Sequence, residues 1–429
     1  MAETEAQRLR DQGLDVLSVG EIMDGREDAA PPSLFEVPRL ANTPAFPEPG
    51  IYFDMPEEVY HAIPALSSSG VKALAASPML FWAKSWLNPD REEQEDKEHQ
   101  ILGKAYHCRI LEGREAFESR FCIGLDRADY PDVLESTDDI KNAIAKREVA
   151  PVTRIGTGEF VADPKKPGET KELTRPAKKE DWIEQLLDLD PDAQIWLRIQ
   201  EAFARENAGK TFISAETFKR LAIAARMIEA DPQLSQAFTG GHAEVSLFWH
   251  CPKTGVPMKA RVDYLKIQMM VDLKTVANQL EMSIERAIPR EIAARKYNLQ
   301  PSVYFEGADA VRGLVRKHGA SAIHVWGEDS GDVDQEEHES LVAWAMKWAA
   351  HRKPDEWLWV FQQKGIAPIT RGLFYPRGGT TKMVSDEIVS AQKKRFRKFA
   401  ETYGTEPWLD LADIYDIADE DIPQWSTEI

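Results

Sequence analysis

The segment RVDYLKIQMMVDLKTV, residues 261–276, sets Asp263 and Asp272 in two short apolar runs, with Lys274 two residues beyond the second. Strand alternation puts Asp272 and Lys274 on one face, because side chains at i and i+2 share a side. A hairpin turning at Ile267 and Gln268 would set residues 263 and 272 opposite each other, with Cβ atoms roughly 5 Å apart. Two carboxylates at that separation can hold one hard cation, and oxygen ligands of this kind suit magnesium or manganese. A lysine beside them can orient a water and help deprotonate it, which together suits phosphodiester hydrolysis. A salt-bridged cluster neutralised by Lys274 or Arg261 is the structural alternative. The spacing leaves both open, and Ile-Gln is not a favoured pair for a tight turn.

The elements that would position this triad follow from the patterning around it. Strands are expected at AEVSLFWH, VPMKARVDYLK and QMMVDLKTVA, with CPKTG and a tight turn between them. The stretch ALSSSGVKALAASPMLFW predicts a helix capped by one of Ser67, Ser68 or Ser69, whose N-terminus suits a phosphate. A second helix is expected over HQILGKAYHCRILEG, and a third begins at Ser214. Gln300 and Tyr304 fall at i and i+4 of a further helical stretch and so share one face. Beyond residue 320 a strand pair, SAIHVWG and EWLWVFQQKG, flanks a helix carrying Leu341, Trp344 and Trp348. Seven of the twelve tryptophans lie in this last part, which reads as core or subunit interface. Strands flanked by helices indicate an α/β or α+β core built on one mixed sheet.

Residues 1–50 are polar, acidic and proline-bearing and read as a mobile arm; residues 51–429 read as the folded domain, with a C-terminal helix and strand extension after about 320. Residues 123–182 carry charge, proline and glycine and read as a surface insertion. Hydrophobic residues make up 43% of the 429, enough for a sizeable core. Three cysteines without a CxxC pair indicate neither a disulfide framework nor a zinc ribbon. No stretch is apolar enough for a membrane span or a signal peptide, so a cytoplasmic location is expected. A net charge of −19 argues against a surface coated for nucleic acid, though a basic groove on an acidic exterior is compatible with it.

With these pieces in place, Asp263 followed by Asp272-Leu273-Lys274 resembles the PD-(D/E)xK nuclease signature in its RecB-like and RecE-like form. GKAYH matches the GxxxH element of that branch and gives His107; AEVSLFW matches its leading strand and gives Glu244; QPSVY matches its QxxxY element and gives Gln300 and Tyr304. The serine-rich helix start and the order of elements are similar to the RecE-like, phage-type exodeoxyribonuclease VIII group, over about residues 51–310.

The resemblance implies a restriction-endonuclease-like core and a magnesium- or manganese-dependent site. His107, Asp263, Asp272 and the Leu273 carbonyl would be metal ligands, Lys274 would position the attacking water, and Glu244, Gln300 and Tyr304 would complete the centre. Ser67, Ser68, Ser69, Arg261, Arg295 and Lys296 are the candidate DNA contacts. Lys259 and Arg290 are expected to join the basic lining, and KKRFRK (Lys393 to Lys398) to form one solvated helix face. It further implies an exonuclease on linear double-stranded DNA, degrading the 5′-ended strand and leaving 3′ overhangs, and a ring-shaped homo-oligomer, trimer or tetramer, acidic outside and basic inside. The acidic arm is compatible with recruiting a single-strand annealing recombinase. The rivals are a RecB-like single-strand nuclease or endonuclease, and a catalytically inactive nuclease fold that binds DNA ends.

Overall fold

The computed structural model describes residues 35–91, 98–166, 169–278, 280–327, 334–364 and 367–411. Among the described residues eleven strands run in chain order: β1 (Gly50–Phe53), β2 (Phe121–Ile123), β3 (Arg154–Ala162), β4 (Thr170–Pro176), β5 (Thr211–Ile213), β6 (His242–His250), β7 (Pro257–Leu265), β8 (Met269–Val276), β9 (Ile323–Val325), β10 (Glu356–Gln363) and β11 (Thr370–Phe374). The chain divides into a larger unit, Met1–Gly113 with Arg220–Ile429, and a smaller one, Arg114–Lys219.

The larger unit is built on a mixed seven-stranded sheet in the order β11-β10-β8-β7-β6-β1-β9. Its neighbours are antiparallel except for β10 with β8 and β1 with β9. Helices flank it, and this is the α+β architecture expected. The β7–β8 hairpin turns at Ile267 and Gln268, where Lys266 N–H donates to the Met269 carbonyl at 2.8 Å. Neither turn residue has a positive φ, so this is not one of the glycine-type hairpin turns. Tertiary contacts hold it instead. Arg312 donates to the Ile267 carbonyl at 2.8 Å while paired with Asp355, and Glu356 N–H donates to the Gln268 carbonyl at 2.9 Å.

The helix Leu299–His318 crosses the back of β6 and β7. Its close approach depends on Gly307, where a Cβ would stand 2.7 Å from the Trp249 ring of β6. Trp249 also donates to Glu306 at 3.1 Å, which fixes the helix along its axis. Ahead of the Ser68–Ala76 helix, Leu66 bonds both ways to β7, its N–H to Pro257 O and its carbonyl from Lys259 N–H. The helix start is thereby tied to the strand that carries Asp263.

Several boundaries differ from expectation. Of the arm expected over 1–50, residues 1–34 lie outside the described residues; in the remainder Val37 is in the main core and Phe46 meets Phe248 edge-on, while Glu36, Arg39, Asn42 and Glu48 are exposed. The charged insertion expected over 123–182 belongs to a larger folded unit whose core is formed by Ile140, Ile144, Ile183, Leu186 and Ile195. Its β3–β4 hairpin is exposed and carries Arg154, Glu159, Lys171, Glu172 and Arg175, which is why composition alone resembled a loop. The segment after 320 is no extension, because β9, β10 and β11 are strands of the central sheet. Trp348, Trp357, Trp359 and Trp408 are buried in the core as expected, whereas Trp326 is exposed.

The basic run on the Thr380–Tyr403 helix is not a solvated face. Lys393 pairs with Glu306, and Arg395 bonds Asp410 and the Leu74 carbonyl. Arg397 bonds Glu401 and the Thr254 carbonyl. Lys393, Arg395 and Arg397 each have a specific acceptor, and with Phe396 and Phe399 buried beside them they secure the helix.

Candidate active site

Regular alternation breaks where the site forms. Ala243 and Tyr264 pack into the cluster containing Val271 and Leu273, whereas Val245 and Val262, two residues away on the same strands, lie in the main core on the other face. Between them Glu244 and Asp263 face each other without pairing, and Glu244 has φ +54°. A left-handed glutamate costs of order 1–3 kcal/mol and persists only where its surroundings over-determine it. What holds it is Arg261, whose Nε lies 2.6 Å from Glu244 Oε2 while its NH1 donates to the Met55 carbonyl at 2.7 Å.

The β7–β8 ladder ends at Tyr264 and Val271. Beyond that pair the strands separate, and the Asp263 carboxylate replaces the ladder, accepting from Leu273 N–H at 2.8 Å through Oδ2. The other edge of β8 stays paired to β10, with Asp272 beside Trp359 and Lys274 beside Phe361. Asp272 is therefore fixed on a central strand next to an opening.

Around that opening the expected residues converge. Lys274 Nζ is 2.6 Å from Asp272 Oδ2, and Gln300 donates to Asp272 Oδ1 at 2.6 Å. Tyr304, one turn on, donates to the Arg261 carbonyl at 2.9 Å, so it braces β7 while Gln300 reaches the carboxylate. His107 ends the Glu98–His107 helix, followed at once by a π-helical turn, Cys108–Glu112. Its Nε2 stands 3.0 Å from the Leu273 carbonyl, and since a carbonyl only accepts, Nε2 carries the proton. Its Nδ1 faces Glu244 at 3.7 Å and Asp263 at 3.8 Å. His242 and His250, on the Glu244 strand, stand against Trp344 and Phe46 rings instead.

The electrostatics follow from two carboxylates buried together. Burial and the neighbouring Asp272 charge push the Asp263 carboxyl up to about 7. Burial opposes a charge on His107, but Asp263 and Glu244 outweigh it and raise the imidazole to about 9. Burial likewise opposes the Lys274 charge, and Asp272 and Asp263 outweigh it and hold the ammonium above its usual range. His107 and Arg261 keep Glu244 below the usual carboxylate range against the effect of burial.

Among the described residues no group of three His, Cys, Asp or Glu stands ready to hold a metal ion. The Leu273 carbonyl meets His107, Asp263 Oδ2 accepts from Leu273 N–H, and Asp272 Oδ2 lies beside Lys274. The donor set nonetheless fits a hard divalent cation. It offers two buried carboxylates, a backbone carbonyl and an imidazole, and Asp272 Oδ2 is buried without a hydrogen bond of proper geometry.

The candidate DNA contacts divide. Ser67 caps its helix through Gly70 N–H at 3.2 Å and lies 2.8 Å from Ser69, and Ser68 is buried. Arg261 is engaged with Glu244, Ser246 and Met55. Arg295 and Lys296 are exposed at the end of the Ile284–Ala294 helix, Arg295 beside Glu291. Arg290 meets Met282. Lys259, expected in a basic lining, is buried instead and donates to the carbonyls of Tyr60, His61 and Ile63, closing the end of the Glu57–Ala62 helix. Sequence reading passed over Tyr297 and Lys72, which no motif marks: Lys274 and Lys72 both lie over the Tyr297 ring, at 5.5 and 5.2 Å from its centroid.

A mixed sheet flanked by helices, with an Asp on one strand and Asp-x-Lys on the next at the point where the two separate, defines a PD-(D/E)xK-type core. The family model described as a PDDEXK-like domain of unknown function (DUF3799) matches residues 67–318, more than half of the chain, and the chain belongs to that family. No curated protein matches. A crystal structure from Eubacterium rectale, provisionally described as an exonuclease, is similar at 11% identity and a TM-score of 0.37, over 81% of this chain and 87% of that one. At that score the likeness carries no argument. Among the described residues no helix is long and apolar enough to cross a membrane.

Proposed function

We propose that the protein is a metal-dependent nuclease that hydrolyses phosphodiester bonds of DNA at the opening between β7 and β8. The observation that carries this reading is the gathering of Asp263, Asp272, Lys274, Gln300 and His107 around the Leu273 peptide, in a chain whose family is PDDEXK-like. Asp263, Asp272, the Leu273 carbonyl and His107 would hold a magnesium or manganese ion. Once bound, that ion would supply Lewis acidity and neutralise charge developing on the phosphoryl oxygens.

The chain's own groups do the rest. Lys274, beside Asp272, orients the attacking water and assists loss of its proton. Gln300 holds Asp272 in one rotamer through Oδ1, with Oδ2 beside Lys274, and Tyr304 fixes the β7 backbone. The Arg261–Glu244 pair keeps the strained strand in place and faces His107, which Asp263 and Glu244 hold charged until a cation competes for its ring.

The substrate is linear double-stranded DNA, degraded from the 5′ end to leave 3′ overhangs for recombination or repair. The active form is a ring-shaped trimer or tetramer around the duplex, and a single-strand annealing recombinase is its partner. The placing of the sites inside a ring reconciles a net charge of −19 with DNA binding. Duplex DNA labelled separately at each end tests the polarity: label released first from 5′ ends supports it. Cleavage of closed circles at a matching rate would replace the exonuclease with an endonuclease.

A further inference from the structure

The Lys274 ammonium is fixed by Asp272, yet a second ammonium shares its aromatic platform and has no such partner. Lys72 lies one turn into the Ser68–Ala76 helix, with Nζ 5.2 Å from the Tyr297 centroid, and Lys274 Nζ is 5.5 Å from the same centroid. Among the described residues the Lys72 ammonium makes no hydrogen bond or ion pair; its residue is half-buried, it lies over the Tyr297 ring, and Asp272 acts on it only from a distance. Tyr297 itself stands between the Ile284–Ala294 and Leu299–His318 helices, the first of which ends on exposed Arg295.

Two like charges share one ring while the Asp272 carboxylate contacts only Lys274, so Lys72 is a cation without a contacting anion beside the candidate site. A phosphate would complete the arrangement. Resting on the nuclease reading, we propose that Lys72 is a phosphate-binding residue that holds the DNA strand next to the bond that Lys274 serves, with Tyr297 fixing the separation of the two ammonium groups. Burial, and the Lys274 charge, bring Lys72 down to about 8, a lysine whose charge an incoming phosphate would secure. A purely structural Lys72 would instead have an acceptor, as Lys259 and Lys393 have.

The test is the salt dependence of binding to a short blunt duplex, read by fluorescence anisotropy in calcium with the DNA shown intact on a gel. One lost phosphate contact lowers the slope of log K against log salt by about 0.9. Lys72→Met, which keeps the stem on Tyr297, is expected to show that loss, and Lys72→Arg to restore the wild-type slope. Lys72→Gln serves if Lys72→Met does not fold. A wild-type slope in a folded neutral variant overturns the assignment while leaving the nuclease reading intact. Absence of duplex binding by the wild type strikes at the nuclease reading itself.

Discussion

Asp272 receives Gln300 on one oxygen and Lys274 on the other, while Asp263 is held by a peptide N–H and faces an imidazole. The two carboxylates are thus not interchangeable. Asp272 is aimed by side chains, and losing one of them should loosen its aim without unfolding a strand. Gln300→Leu is expected to lower turnover by about 10–100-fold, the usual effect of removing a group that orients a ligand, with the magnesium concentration needed for half-activity rising alongside. Steady-state kinetics across a magnesium series checks both. Lys274→Met is expected to cost on the order of 10²–10³ in kcat, as loss of one electrostatic donor at a reacting centre does. The identities of Asp263, Asp272, Lys274, His107 and Gln300 were legible because each sits in a spaced motif. Lys72 and Tyr297, and the pairing of Arg261 with Glu244, were not, because what makes them matter is contact across sequence separation and a backbone φ that no residue type announces.

At the scale of elements, two contacts place the site. Gly307 lets the Leu299–His318 helix approach Trp249, and Arg312 with Asp355 holds the β7–β8 turn. Gly307→Ala is expected to lower the Tm despite the better helix propensity of alanine, because the added carbon meets a ring rather than a flexible chain end. Arg312→Met leaves Asp355 buried and unpaired, an expected loss of about 3–5 kcal/mol in urea unfolding. In the smaller unit, Arg175 and the Lys178 N–H hold the Asp181 carboxyl down at about 2. A depressed carboxyl contributes stability that is present above its ordinary value and disappears as pH falls toward the folded one. Hydrogen-exchange protection factors around the Lys179–Leu189 helix, taken against the unfolded-chain rate at each pH, should therefore fall between about pH 4 and pH 2, and Arg175→Met should flatten that dependence. Strands β6, β7, β8, β9 and β10 were legible from the sequence pattern. The turn was the weak point, since Ile-Gln is held by Arg312, a residue on a later helix, and the smaller unit was hidden because its exposed hairpin has the composition of a loop.

For the whole molecule, the expected extension after 320 proved to be three strands of the sheet, so the part of the chain that follows the last motif is needed for the site it supports. Truncation at residue 320 would remove β10, the neighbour of Asp272, and is expected to yield no folded nuclease by circular dichroism or activity. A ring assembly predicts a trimer or tetramer by light scattering, and a strict monomer at micromolar concentration would contradict it. Fold class was legible because strands flanked by helices indicate one mixed sheet; domain extent was not, because composition separates exposed from buried better than one folded unit from another. The central claim is that the opening between β7 and β8 hydrolyses DNA. Its most direct test is degradation of linear duplex DNA with magnesium and with chelator, by the wild type and by Asp272→Ala shown to be folded. Magnesium-dependent degradation that the substitution abolishes is the predicted result; undiminished degradation by the folded variant, or none by the wild type in any divalent cation, would contradict the account.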